Sequence, residues 1–223
     1  MFKELIHFVR HAPGTLALLK KLSHAELYDR LMLKGEEAGM AEWRAALTAG
    51  VRGKVLEIGC GTGLMFPYYA PDVQLAAVEL EPEFLELAKG RADEAAAKIR
   101  LFVGDGAHLP FSARHFDYVI VSLVLCSVGS VEDVLTECRR VLAHGGELRL
   151  IEHVRSDRPV SGAVMDLLNP LWLRLNRQGC HMNRKTEVLI QQSDFIVDES
   201  RPFKIFAPGI PAFPMRWMRV RPR

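Results

Sequence analysis

The run VLEIGCGTG, residues 55–63, sets Gly59, Gly61 and Gly63 in a GxGxG turn directly after an apolar stretch and before a helix-forming one. Small residues let a ligand approach the backbone, and the first turn of a following helix offers N–H groups with no partner of their own. Glu79 stands 20 residues beyond Gly59 and ends the next apolar run, where a carboxylate can accept both hydroxyls of a ribose. GDGAHLPF then supplies Asp105, with Gly106 and Ala107 beside it, after a third run. Each feature alone has a plain structural reading, a tight turn or a solvated carboxylate. Three of them at the ends of three successive runs, in order, make coincidence improbable. A nicotinamide dinucleotide would call for glycine at the sixth position of GxGxxG, and position 64 is leucine.

A second set of polar residues follows the later runs: Cys126, Ser127, Glu152 and His153, then Asp166, Cys180 and His181. His153 is the first choice for a general base, because it ends a run at the expected ligand edge and imidazole titrates near neutrality. The competing reading is that Glu152 and His153 only hydrogen-bond at a strand end. Buried cysteines such as Cys126 and Cys180 are more often small packing residues than reactive ones. The cysteines and histidines show no metal-ligand spacing, so no metal is expected. Trp172, Leu173 and Leu175 read as an apolar lid or as core.

These residues need a scaffold that lines up strand ends. VLEIG (55–59), VQLAAVEL (73–80), IRLFVGD (99–105), FDYVIVSLVL (116–125) and ELRLIEHV (147–154) read as buried strands. Helical patterns separate them: LMFPYYA begins one, EPEFLELAKGRADEAAAK forms another with Pro82 in its first turn, and VEDVLTECRRVLA is closed by Gly145 and Gly146. RKTEVLIQQSDF resumes a helix, and FKIFA and MRWMRV read as two last strands across a proline-rich loop. Strands alternating with helices predict an α/β fold: a Rossmann-like, doubly wound, mostly parallel seven-stranded sheet with helices on both faces. In such sheets ligands bind at the carboxyl ends of the strands. Residues 1–50 read as an N-terminal helical cap, with Pro13-Gly14 as a break and Ser23 as an N-cap, on a ligand-binding domain spanning 51–223.

Composition narrows the classes. The 223 residues suit one globular domain, 49% hydrophobic and 25% charged. A net charge of +2 gives no footprint for nucleic acid. Cys60, Cys126, Cys138 and Cys180 form no CxxC pair, and no apolar run is long enough to span a bilayer, so a cytoplasmic protein with reduced thiols is expected. Phe2, Leu5, Ile6 and Val9 share one helical face, which packs on the domain or makes peripheral contact with a membrane.

Over residues 50–155 the chain resembles the class I S-adenosylmethionine (SAM) dependent methyltransferases. The resemblance implies that Glu57, Gly59, Cys60, Gly61 and Gly63 line the amino-acid and sulfonium part of SAM. It further implies that Glu79 holds the ribose, Leu80 lies against the adenine and Asp105 meets the adenine amino group beside Gly106 and Ala107. Ser122 falls near the methionine end, and the pair Tyr28-Asp29 resembles one that covers the cofactor. SLVLCSV (122–128), EHV (152–154), NPLWLRL and GCHMNRKT (179–186) are similar to a narrower branch, the alkyl-thiol S-methyltransferases. That likeness implies a small lipophilic acceptor with Cys126, Ser127, His153, Trp172, Cys180 and His181 around it. An amine or oxygen acceptor in a lipid, quinone precursor or secondary metabolite is the alternative, and a non-catalytic SAM-fold subunit a further one. The oligomeric state is not encoded in these patterns.

Overall fold

The computed structural model describes residues 22–176, 178–207 and 212–223. The amphipathic segment at residues 1–14 and the Pro13-Gly14 break lie outside the described residues. The chain enters through α1 (His24–Gly35), where Ser23 and Glu26 form a reciprocal capping box: the Ser23 hydroxyl accepts from the Glu26 N–H and the Glu26 carboxylate from the Ser23 N–H. A π-turn at Glu36–Met40, with Gly39 at φ +114°, swings the chain into α2 (Ala41–Thr48).

The sheet follows: β1 (Gly53–Ile58), β2 (Val73–Glu79), α3 (Pro82–Glu94), β3 (Lys98–Val103), β4 (Phe116–Ser122), α4 (Val131–Val141), β5 (Leu142–His153), α5 (Pro159–Leu175), α6 (Thr186–Gln192), β6 (Phe195–Lys204) and β7 (Pro214–Pro222). The seven strands are ordered β3-β2-β1-β4-β5-β7-β6. All neighbours run parallel except β7, which is antiparallel to both β5 and β6. The register keeps the strand ends flush, with Ile58 beside Val78 and Val121, and Ser122 beside Ile151.

The period of two along each strand divides the core between the faces. Leu56, Ile58, Val119, Val121, Leu148 and Leu150 point to one side, where α4 meets them through Val134, Leu135, Cys138 and Val141 and α6 through Ile190. Val55, Leu75, Ala77, Ile120 and Ile151 point to the other, covered by Leu47 of α2, Phe66, and Leu85 and Ala88 of α3. This is the doubly wound sheet that the pattern of runs predicts.

Several boundaries differ, each for a local reason. LMFPYYA forms only a short 3₁₀ turn at Phe66–Tyr68, with Pro67 in its first positions. β4 stops at Ser122 rather than 125, because Leu123 takes φ +63° and turns the chain out of the sheet. The sixth strand is Phe195–Lys204, not FKIFA at 203–207. Its last pair is Lys204 with Pro214, so Ile205, Phe206 and Ala207 have no partner strand. Pro202 is tolerated inside β6 because that strand is the sheet edge.

Candidate active site

The glycine turn follows β1 at the carboxyl edge. Gly59 has φ +67°, and a Cβ there would lie 2.4 Å from Val124 Cγ2, so the protein's own packing demands glycine. Gly61, at φ +55°, is different: its Cβ would meet only Tyr28 Cε1, at 3.8 Å, and so would occupy open space. That space belongs to a narrow cleft lined by Tyr28, Arg44, Glu57, Gly61, Thr62 and Ser122, among others. The Glu79 carboxylate reaches back across the turn, accepting from the Gly61 N–H at 2.8 Å and the Glu81 N–H at 3.1 Å. Leu80, although apolar, is 59% exposed beside it. Asp105 accepts from the Ala107 N–H at 2.9 Å and is otherwise exposed, and Gly106 packs on Ile58 with no room for a side chain.

α1 is fastened over this turn. Asp29 accepts from the Thr62 hydroxyl at 2.5 Å and from both terminal nitrogens of Arg91, at 2.8 and 3.0 Å. Arg91 also donates to the Thr62 carbonyl at 2.7 Å. Tyr28, which neighbours Asp29, packs edge-on against Phe84 and lines the cleft. Burial pushes the Tyr28 hydroxyl well above the usual tyrosine range. The thiol of Cys60 is likewise pushed up by burial and by Glu57 and Glu79.

Sequence reasoning missed Arg44. It is 4% exposed, donates to the Ser122 hydroxyl at 3.1 Å and pairs with Glu36 at 2.6 Å. Tyr68 completes the group by donating to the same Glu36 carboxylate at 3.0 Å. An arginine in a short cap helix carries no sequence signal of its own. Only the tertiary fold brings it to the end of β4.

Glu57 is buried under the turn and accepts from the Tyr69 hydroxyl at 2.9 Å. Burial pushes its carboxyl from 4.5 up to about 8, against the lowering effect of Tyr69. The folded protein therefore holds a proton that the unfolded chain gives up above pH 4.5. That contribution to stability is complete below pH 4.5 and is lost as pH rises through about 8. Urea unfolding at pH 5 and at pH 7.5 should show wild-type stability falling by up to about 1.4 kcal/mol per pH unit from this group. Glu57→Gln should flatten that slope, and identical slopes in the two proteins would remove Glu57 as its cause.

The second set of predicted residues gathers at the ends of β4 and β5. His153 is 3% exposed, and its Nδ1 lies 3.0 Å from Cys180 Sγ. Its ring stacks on Phe213 at 4.3 Å, and Trp172 meets the other edge of that phenyl ring at 5.2 Å. Nε2 of His153 and Nε1 of Trp172 are buried with no hydrogen-bond partner among the described residues. Cys126 approaches the Ser127 hydroxyl at 3.6 Å. The Cys180 thiol is lowered to about 5, first by its hydrogen bond with Cys126 and then by His153, while Cys126 is pushed up by the same pairing and by burial. Beyond the raising effect of its burial, the Tyr28 hydroxyl is lowered by Arg44 and raised further by Cys126, Glu79 and Cys180. His181 donates its N–H to the Cys126 carbonyl at 2.8 Å, which ties its loop to the end of β4.

Glu152 and Asp166 have other duties. Glu152 is fully buried and accepts from the N–H groups of Val124 and Leu125 at 2.9 and 2.8 Å and of Cys126 at 3.1 Å. Burial raises its carboxyl to about 7 despite those three bonds. Asp166 is exposed, turned away to a forked pair with Arg155 and a bond from Asn183.

Residues 56–150 match the model of a methyltransferase domain. The thiol S-methyltransferase TMT1A of Homo sapiens is 32% identical over 181 residues, covering 78% of this chain and 70% of that protein. The chain belongs to the class I SAM-dependent methyltransferases. TMT1B of Rattus norvegicus is 35% identical, covering 63% of the methyltransferase described here but 59% of the rat protein's own length. A phosphatidylethanolamine N-methyltransferase of Cereibacter sphaeroides is 32% identical over 114 residues. In fold, the YcgJ protein of Bacillus subtilis superposes with a TM-score of 0.67 at 17% identity, covering 82% of this methyltransferase and 99% of YcgJ. SAM is the cofactor that membership of this family implies, and the residues present fit it. Gly61 leaves space where a side chain would intrude, Glu79 offers a carboxylate at the strand end, and Leu80 presents an apolar surface to solvent. Among the described residues, no helix is long and apolar enough to cross a membrane.

Proposed function

We propose that this methyltransferase acts on the sulfur of a small lipophilic thiol. The observation that carries the reading is the His153–Cys180 pair, 3.0 Å apart, with His153 buried at the carboxyl end of β5 and Cys180 half-buried beside it. A thiol must lose its proton to become a good nucleophile, and Cys126 and the imidazole of His153 beside the Cys180 sulfur lower that thiol, the direction an acceptor sulfur placed there needs. The thiol S-methyltransferase relatives support the same acceptor. An exposed apolar stripe on α5, with Val160, Leu167, Leu171 and Leu175 at helical spacing, suits a greasy substrate arriving beside Trp172.

Bound SAM supplies an activated methyl group on a sulfonium. The task left to the chain is to hold, orient and exclude water. Glu79 holds the ribose, Leu80 and Asp105 flank the adenine with Gly106 and Ala107, and Glu57 and Cys60 floor the glycine turn. Tyr28 covers the cleft, and α1 and α2 serve as its cap. Arg44, charged and buried next to Ser122, takes the carboxylate of the amino-acid end. Cys126, Ser127, Trp172, Cys180 and His181 surround the acceptor, and the free Nε2 of His153 receives its proton. A cytoplasmic protein touching a membrane surface accords with four free thiols and the exposed stripe.

The test is S-adenosylhomocysteine release with three matched acceptors: a lipophilic thiol, its amine and its alcohol. The thiol should be turned over at least about 100-fold faster than the others. His153→Ala should lower kcat by about 100-fold with SAM affinity within a factor of about two. Equal or greater turnover of the amine would move the enzyme to the second reading, lipid or metabolite methylation, which the phosphatidylethanolamine N-methyltransferase relative supports. An unaltered kcat–pH profile in His153→Ala would remove His153 as the base.

A further inference from the structure

Cys126, His153 and Cys180 are far apart in the sequence, yet each offers one potential ligand atom and the three atoms lie within 4.8 Å of one another. In a tetrahedral zinc site with Zn–S near 2.3 Å and Zn–N near 2.0 Å, neighbouring ligand atoms stand about 3.6–3.8 Å apart. Cys180 Sγ and His153 Nδ1, at 3.0 Å, need to separate by only about half an ångström to admit the ion.

The three side chains are held by bonds that leave their donor atoms free. The Cys126 N–H is bound to Glu152 and its carbonyl to the His181 N–H. The Asn176 side chain grips Cys180 from both ends, accepting from its N–H at 3.1 Å and donating to its carbonyl at 2.8 Å. His153 is clamped by stacking on Phe213 and by strand pairing with Met215. Ligands whose backbones are fixed in this way meet the requirement for a preorganised metal site.

Two thiols and an imidazole suit a soft divalent cation. Among the described residues no fourth cysteine, histidine or carboxylate joins the group, and the nearby Glu152 carboxylate is spent on three backbone N–H groups. Three protein ligands with one position open is the pattern of a zinc ion that meets substrate rather than one that staples a fold.

We propose that Cys126, His153 and Cys180 bind one zinc ion, with its fourth position open to the acceptor. This rests on reading their cluster as the acceptor side of the site. An acceptor thiol binding there would give its proton to solvent and its sulfur to the metal, keeping a lone pair for attack on the methyl carbon. The bond from that carbon to the SAM sulfonium breaks, its electron pair stays on the departing S-adenosylhomocysteine, and the methylated product leaves as a neutral thioether. With the ion bound, stabilising the thiolate passes from the imidazole to the metal.

The experiment is zinc stoichiometry on full-length protein purified from zinc-supplemented cells, with cobalt substitution as a second readout. We expect about one zinc per chain, lost in Cys126→Ser and Cys180→Ser but retained in Cys138→Ala, whose site is the α4 core. Cobalt in the wild-type protein should give thiolate charge-transfer and tetrahedral d–d absorption, a signature that does not depend on any variant folding. Wild-type protein without zinc and without the cobalt spectrum, or zinc retained at full stoichiometry in both Ser variants, would overturn the site. Neither readout involves turnover, so the two readings fail separately. Stoichiometric zinc with no thiol methylation sinks the thiol acceptor and leaves the metal site, whereas undiminished thiol methylation by protein that binds no zinc does the reverse.

Discussion

Glu79→Ala should raise the dissociation constant for SAM by about 100-fold and leave the circular dichroism spectrum unchanged. The carboxylate ends β2 at the ligand edge, half-exposed, with its two oxygens directed at the glycine turn and the next N–H. Hydrogen bonds to a charged group contribute about 1.5–3 kcal/mol each, and about 1.4 kcal/mol is a tenfold change in affinity. Loss of the ribose contacts proposed for this carboxylate would therefore account for about two orders of magnitude without any change in the core. Glu79→Gln keeps the shape and one acceptor oxygen and should fall between the two. Calorimetric titration reads both, and SAM affinity within a factor of about two of wild type in Glu79→Ala would take the ribose away from this residue.

Glu152→Ala should destabilise the fold by about 3–5 kcal/mol, a fall of roughly 8–16 °C in Tm for a chain of this length. No other side chain in the site has such a concentrated structural role. Three consecutive N–H groups end on its carboxylate, immediately after Leu123 has turned left-handed at the end of β4. Removing the carboxylate leaves three donors short of partners and frees the loop that carries Cys126. Glu152→Gln, with a single acceptor oxygen, should retain part of the stability. Thermal unfolding that places Glu152→Ala within about 1 kcal/mol of wild type would mean that water replaces the carboxylate at no cost.

The nucleoside half of the site was legible because its signals are local. Gly59, Gly61 and Gly63 follow one strand at fixed spacing, and Glu79 and Asp105 close the next two. The acceptor half was legible as a set of residues but not as a geometry. Cys126, His153 and Cys180 show no ligand spacing because each comes from a different segment, and only parallel pairing of β4 with β5 and the docking of the Cys180 loop unite them. Glu152 looked like a partner for the acceptor and is a brace for the backbone. Arg44 and Phe213 were overlooked, the first inside a cap helix and the second in a stretch read as a proline-rich loop. The sixth strand was misjudged because FIVDESRPFK lacks clean alternation and contains a proline, features that an edge strand tolerates.

The antiparallel entry of β7 between β5 and β6 sets an order of assembly. Strands β2 to β5 each pair with a neighbour made earlier in the chain, so the half of the sheet that carries the glycine turn can form while synthesis continues. The wall behind His153 cannot. Its stacking partner Phe213 arrives with the start of β7, and Met215 pairs with His153 only when that strand slides in beside β5. A nascent chain halted before β7 has its glycine turn and Glu79 in place and lacks the wall that packs on His153.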